Sequence, residues 1–219
     1  HPWQLDRARA RLAAGYYAAG RNEWALTWAD KATKRSGKFL PEAHWTAGLA
    51  AWRLGKFKRS RDQFKLVFTS PYASSWLISA GAFWASRATV KMRRPQDFNK
   101  FLEIAAKYPR TFYGLLANYI LDKEIRYNWA PPPLAKDAIA QLALQPGGRR
   151  AIALLQIGQD RLAERELEPI FSNANPELAR AMLAIADRAE LPSLAMRLGT
   201  MLAGSGSKLY DSTAYPAPT

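Results

Sequence analysis

Residues 41–64 read PEAHWTAGLAAWRLGKFKRSRDQF, and the fold turns on how this stretch packs. Pro41 suits the first position of a helix, because its missing N–H is one that a helix start leaves unbonded anyway. From there Ala43, Ala47, Ala50, Ala51 and Leu54 line one side of the predicted helix, and Trp45, Leu49 and Trp52 line another. A helix that is apolar on two sides has to be covered on two sides. Gly55 ends it, and Phe57, Ser60, Phe64, Val67 and Phe68 predict a second helix that stops before Pro71. Ala47 and Gly48 leave room for a close neighbour, and Phe57 and Phe64 are the side chains to plug the gap between successive helical pairs.

The same reading extends in both directions. Leu5, Ala8, Leu12, Tyr16 and Ala19 predict a first helix ended by Gly20, and Trp24, Ala25, Trp28, Ala29 and Ala32 a second ended near Gly37. A helix is expected from about Pro95 to Lys107 on Phe98, Phe101, Leu102 and Ala105. YPRTFYG at 108–114 then opens another that runs to about Leu121. Thr111 is its expected N-cap, and Phe112, Leu115, Leu116, Tyr119 and Ile120 its buried face. Gly114 costs this helix about 1 kcal/mol against alanine, so it is expected to allow a close backbone approach. Trp24, Trp28, Trp45, Trp52, Trp76 and Trp84 read as core of the helical pairs.

YNWAPPPLA at 127–135 cannot continue a helix and predicts a joint near Pro131–Pro133. Shorter helices are expected at about 134–144, 149–158 and 160–171, and from Pro176 and Pro192. No segment alternates with period two for the length of a strand. Gly20 and Gly55 lie 35 residues apart, and Gly48 and Gly81 lie 33 apart. The prediction is an all-α chain, a superhelical stack of antiparallel tetratricopeptide-like helical hairpins forming an α-solenoid. Residues 1–130 form its basic, aromatic-rich part, and 134–204 a neutral Ala/Leu-rich continuation. Residues 205–219 are read as a linker.

Composition narrows the chemistry. Cysteine is absent, which excludes disulfides, thiolate metal sites and cysteine nucleophiles. His1 and His44 are the only histidines, too few for a usual zinc set, so no metal and no cofactor is expected. His44 reads as a packing residue. GSGSK at 204–208 lacks the spacing of a phosphate loop, and the acids of DRLAERELEP read as a solvated face. No apolar run approaches the roughly 18 residues of a membrane span. Residues 1–120 hold 21 Lys/Arg against 7 Asp/Glu, whereas 121–219 hold 11 of each, so the whole net charge of +14 sits in the first part. The run RLGKFKRSR places Arg53, Lys56, Lys58, Arg59 and Arg61 together as candidate contacts for an anionic polymer. No regular base-reading pair recurs from repeat to repeat, so nucleic acid is not the expected partner.

The stretches at 41–64, SAGAFWASRA at 79–88 and AAKYPRTFYGLLAN at 105–118 occur in the order found in soluble lytic transglycosylases of Gram-negative bacteria. RRAIALLQIGQDRLAERELEPI and the terminal YPAP also resemble that family, so the likeness covers about Leu5 to Pro218. It implies the family's superhelical, non-catalytic region, with Thr111, Phe112, Tyr113 and Gly114 in its most specific motif. It also implies a periplasmic location, peptidoglycan glycan strands as a weakly held partner, and a lysozyme-like catalytic domain following the linker. That domain acts through a glutamate in a Glu-Ser pair as general acid and base. None of the nine glutamates here precedes a serine, so no catalytic residue is expected in this chain. The alternative expectation is a free-standing tetratricopeptide-like adaptor that docks a protein partner.

Overall fold

The computed structural model describes residues 2–135, 137–204 and 210–215. The described residues form helices and connecting turns, with no strand among them. They divide into two compact units, residues 1–125 and 126–219. The division falls a few residues before the expected joint, and Pro131–Pro133 belong to the second unit.

The first unit holds α1 (Pro2–Ala18), α2 (Asn22–Ser36), α3 (Pro41–Arg53), α4 (Phe57–Phe68), α5 (Ser75–Lys91), α6 (Phe98–Ala106) and α7 (Phe112–Ile120). Single 3-10 turns, Gly37–Phe39 and Pro95–Asp97, precede α3 and α6. Gly20 and Gly55 make the α1–α2 and α3–α4 turns with φ of 74° and 70°, a region glycine enters without steric cost. Ser74 caps α5 and Thr111 caps α7 by accepting from Leu77 N and Gly114 N.

Each helix packs on the next in sequence, and in addition α1 packs on α3, α3 on α5 and α5 on α7. Side-chain bonds give the sense of these contacts. Asp6 at the start of α1 reaches Arg35 and Ser36 at the end of α2, so that pair is antiparallel. Glu23 meets Lys56, which places the starts of α2 and α4 together. Ser79 meets Thr111, which does the same for α5 and α7. The odd-numbered helices are therefore enclosed on more than one side, and α3 and α5 bury residues nearly all round. Small residues make this possible: a Cβ on Gly48 would stand 2.5 Å from the Phe64 ring, and one on Gly81 would stand 2.9 Å from Val67.

Three expected faces are corrected. α1 buries Asp6, Ala10 and Ala13, not the stripe through Leu5, Ala8, Leu12 and Ala19, which is exposed. α2 buries Ala25, Leu26, Ala29 and Ala32 and leaves Trp24 exposed against Tyr16; Trp76 on α5 is likewise outside the core. α7 buries Thr111, Gly114, Ala117 and Asn118, while Phe112, Leu115, Tyr119 and Ile120 face outward, Tyr119 at 85 % exposure. The cause is common to all three. Neighbouring helices approach closely along alanine and glycine, so the smallest side chains mark the contact face and larger apolar ones stand outside it.

The second unit holds α8 (Ala138–Ala143), α9 (Pro146–Gln156), α10 (Asp160–Ser172), α11 (Pro176–Arg188), α12 (Pro192–Gly204) and α13 (Asp211–Ala214). Prolines open α9, α11 and α12, and Asn175 caps α11 by accepting from Leu178 N at 2.8 Å. Leu142, Leu167, Met182, Leu183, Leu194 and Leu198 form its core. The expected linker is corrected over 210–215. Asp211 is fully buried, its carboxylate accepts from Asn128 N at 2.7 Å, and its own N–H donates to Asn128 O at 2.8 Å. That reciprocal pair folds α13 onto residues 126–130; residues 205–209 and 216–219 lie outside the described residues.

Candidate functional site

A groove of about 900 Å³ opens in the first unit where α1, the α2–α3 junction and the α4–α5 junction meet. Arg35 and Ser36, which line it, are held by the buried Asp6 behind them. Asp6 Oδ1 accepts from Arg9 at 2.9 Å, and Oδ2 accepts from Arg35 Nε at 2.9 Å and Ser36 Oγ at 2.6 Å. The bonds from Arg35, Ser36 and Arg9 outweigh the opposing effect of burial and hold the carboxyl at about 2, below its ordinary 3.8. This anion is spent internally and ties the end of α2 to the start of α1.

The groove's walls are aromatic and cationic. Trp3, Phe39 and Tyr72 line it with much of each ring exposed, and Phe39 and Tyr72 sit 5.1 Å apart, centroid to centroid. Arg7 and Arg11, one helical turn apart on α1, also line it. Arg7 lies 6.0 Å over the Trp3 ring, and neither arginine has a carboxylate partner among the described residues. Glu42 is the acid on the opposite wall. An anion entering here meets two cations that no carboxylate pairs directly, next to flat apolar faces.

The cations singled out from sequence are differently placed, at the α3–α4 turn. Arg53 donates to Tyr17 O at 3.0 Å and covers the Tyr17 ring at 3.9 Å. Lys56 pairs with Glu23 at 3.3 Å, Arg59 with Asp30, and Arg61 with Asp62 at 2.7 Å. Only Lys58 of the five has no such partner among the described residues. The turn therefore ties neighbouring helices together, and most of its charge is answered locally.

Thr111, Phe112, Tyr113 and Gly114 form an elbow. The Tyr108 carbonyl accepts from Thr111 N at 3.0 Å and lies so close to Gly114 that a Cβ there would stand 1.9 Å from its oxygen. Thr111 Oγ1 sits 2.8 Å from both Tyr108 O and Ser79 Oγ, and Tyr113 packs on Phe83 at 5.1 Å. This motif positions α7 on α5, and Phe112 is its exposed member. His44 is buried with Nδ1 2.7 Å from Gln63 Oε1, a packing role. Of the DRLAERELEP acids, Glu166 pairs with Arg150 and Glu168 with Arg197, both on the surface. GSGSK falls almost wholly outside the described residues. No group of three or more His, Asp or Glu is arranged to hold a metal among the described residues.

Sequence reasoning missed Trp3, Phe39 and Tyr72. The signal was present, since an aromatic recurs at the entry to each odd-numbered helix, but a tryptophan or phenylalanine near a helix start also reads as core. No family model matches the chain, and no curated protein matches it. No described helix is long and apolar enough to cross a membrane.

Proposed function

We propose that the chain is the helical, non-catalytic scaffold of a soluble lytic transglycosylase, working in the periplasm beside a lysozyme-like domain, and that its groove holds peptidoglycan. The observation that carries this reading is the groove itself. Exposed Trp3, Phe39 and Tyr72 offer faces for sugar rings, and unpaired Arg7 and Arg11 suit the carboxylates of stem peptides. Packing of α1 on α3, α3 on α5 and α5 on α7 supports the finer arrangement, a tetratricopeptide-like superhelical stack in the first unit. The chain contributes binding and shape, and the cleavage chemistry belongs to the catalytic domain.

Co-sedimentation with purified sacculi tests the reading. Binding at low ionic strength is expected to fall sharply near 1 M salt, where the Debye length is about 3 Å. Arg7→Glu/Arg11→Glu should bind severalfold less with its melting temperature kept, since both side chains are exposed. Absence of wild-type binding at every ionic strength would defeat the proposal. The outward apolar face of α7 favours a second reading, an adaptor that docks a protein partner. That reading requires no affinity for sacculi.

A further inference from the structure

Five exposed aromatics mark the entries to the odd-numbered helices. Trp3 lies in the first turn of α1, Phe39 just before α3, Tyr72 before α5 with Trp76 in its first turn, and Phe112 at the first position of α7. Successive entries are 33 to 37 residues apart when Trp3, Phe39, Tyr72 or Trp76, and then Phe112 from Trp76, are compared. These five side chains are 46–59 % exposed, too open to be core and open enough to present a ring face. The entries are also neighbours in space. Trp3, Phe39 and Tyr72 share the groove, Phe39 touches Tyr72, and Ser70 Oγ donates to Lys38 O at 3.4 Å across the two junctions. Further along, Ser79 Oγ lies 2.9 Å from Trp76 O and 2.8 Å from Thr111 Oγ1, so one hydroxyl bridges the backbone of Trp76 to the residue before Phe112.

We infer that this edge is an extended binding site for a β-1,4-linked glycan strand, running across the helix entries with one ring platform at each. The inference rests on the peptidoglycan reading and adds to it a direction and a length. Packed helices lie about 8–10 Å apart, so platforms on successive odd helices repeat on the scale of a disaccharide. A pyranose ring presents a flat C–H face that an aromatic ring covers, as stacking platforms for other ring-bearing polymers do.

Charge distinguishes the occupant from a polyphosphate. No charged residue occurs between Lys65 and Arg87, which includes the whole of the Tyr72–Trp76 entry. A nucleic acid needs a cation near each successive phosphate, and this stretch supplies none. Cations gather at the first two entries, Arg7 and Arg11 beside Trp3 and Lys38 5.8 Å from the Phe39 ring, and thin out along α5. The pattern fits a polymer that is mostly neutral with an occasional carboxylate.

The test uses the full chain and soluble β-1,4-linked N-acetylglucosamine oligomers, with affinity measured calorimetrically for the disaccharide, tetrasaccharide and octasaccharide. Affinity should climb by roughly threefold to tenfold for each further platform engaged. Trp76→Ala, an exposed substitution, should keep the melting temperature, lower octasaccharide affinity by a similar factor and leave the disaccharide unchanged. Affinity independent of length, or an unaffected Trp76→Ala variant, overturns the inference. Sacculus binding retained alongside that result would leave the scaffold reading standing. Preferential, steeply salt-dependent binding of single-stranded RNA overturns the inference in favour of a polyphosphate, and binding confined to a proline-rich peptide overturns it in favour of a protein partner.

Discussion

Gly114 and Gly148 occupy the same local device in different units. In each, a carbonyl accepts from the N–H three residues on, at the N-cap, and presses against the glycine six residues on: Tyr108, Thr111 and Gly114 in one, Leu142, Gln145 and Gly148 in the other. A Cβ would stand 1.9 Å from the Tyr108 oxygen and 2.0 Å from the Leu142 oxygen, and backbone cannot swing aside as a flexible side chain can. Gly114→Ala is therefore expected to destabilise by about 1–3 kcal/mol despite better helix propensity. Gly15→Ala, in open space within α1, should stabilise by about 0.5–1 kcal/mol. Denaturant titration of the two variants checks the contrast, and equal effects of one sign would refute it. Asp6 is the other residue whose role is local and strong. Asp6→Asn should cost about 2 kcal/mol at neutral pH, because it removes the anion and leaves one acceptor oxygen for donors from two arginines and a serine. Its folded pKa is depressed, so this stability is present above the ordinary 3.8 and is lost as pH falls toward about 2. The gap between wild type and variant should close over that window.

At the scale of elements, the α3–α4 turn and α7 show how a charged or apolar run can mislead. Lys56 and Arg59 bridge α4 to α2, so reversing either charge should cost no more than about 1 kcal/mol, while Lys58→Glu should leave stability unchanged. Reversal at the turn should also reduce sacculus binding less than reversal of Arg7 and Arg11, which are in no ion pair among the described residues. On α7, Tyr119→Lys is expected to shift stability by less than about 0.5 kcal/mol, as befits an outward side chain; loss of several kcal/mol in a thermal melt would show the face to be core. Helix positions were legible because Pro41, Pro176, Pro192, Gly20, Gly55 and Gly158 punctuate the chain through backbone geometry that does not depend on partners. Helix faces were less so. Periodicity says that Phe112, Leu115 and Tyr119 share a side, but α7 is also small on its opposite side, at Gly114 and Ala117, and only the neighbour's position decides which is covered. The groove was hidden for the same reason, since exposure of Trp3, Phe39 and Tyr72 depends on junctions between helices distant in sequence.

For the whole molecule, the cores and the charge divide at the same place. One core cluster lies entirely in 126–219, and the four others lie entirely in 1–125. The buried Asp211–Asn128 pair joins two segments of the second unit, so a cut after Ile125 severs neither. Residues 1–125 carry 22 Lys/Arg and 9 Asp/Glu, a net +13, and the remaining residues carry 10 and 9, a net +1. A chain ending at Ile125 should then fold by itself, keep a helical circular dichroism spectrum and unfold cooperatively, because each of its core clusters is complete. It should also retain the salt-sensitive affinity for sacculi, since the groove, the aromatic entries and nearly all the net charge travel with it. Residues 126–219 alone should fold around Leu142, Leu167, Met182 and Leu198 and bind sacculi weakly at any ionic strength. Binding that followed the second fragment, or needed both, would move the recognition surface away from Trp3, Phe39 and Tyr72.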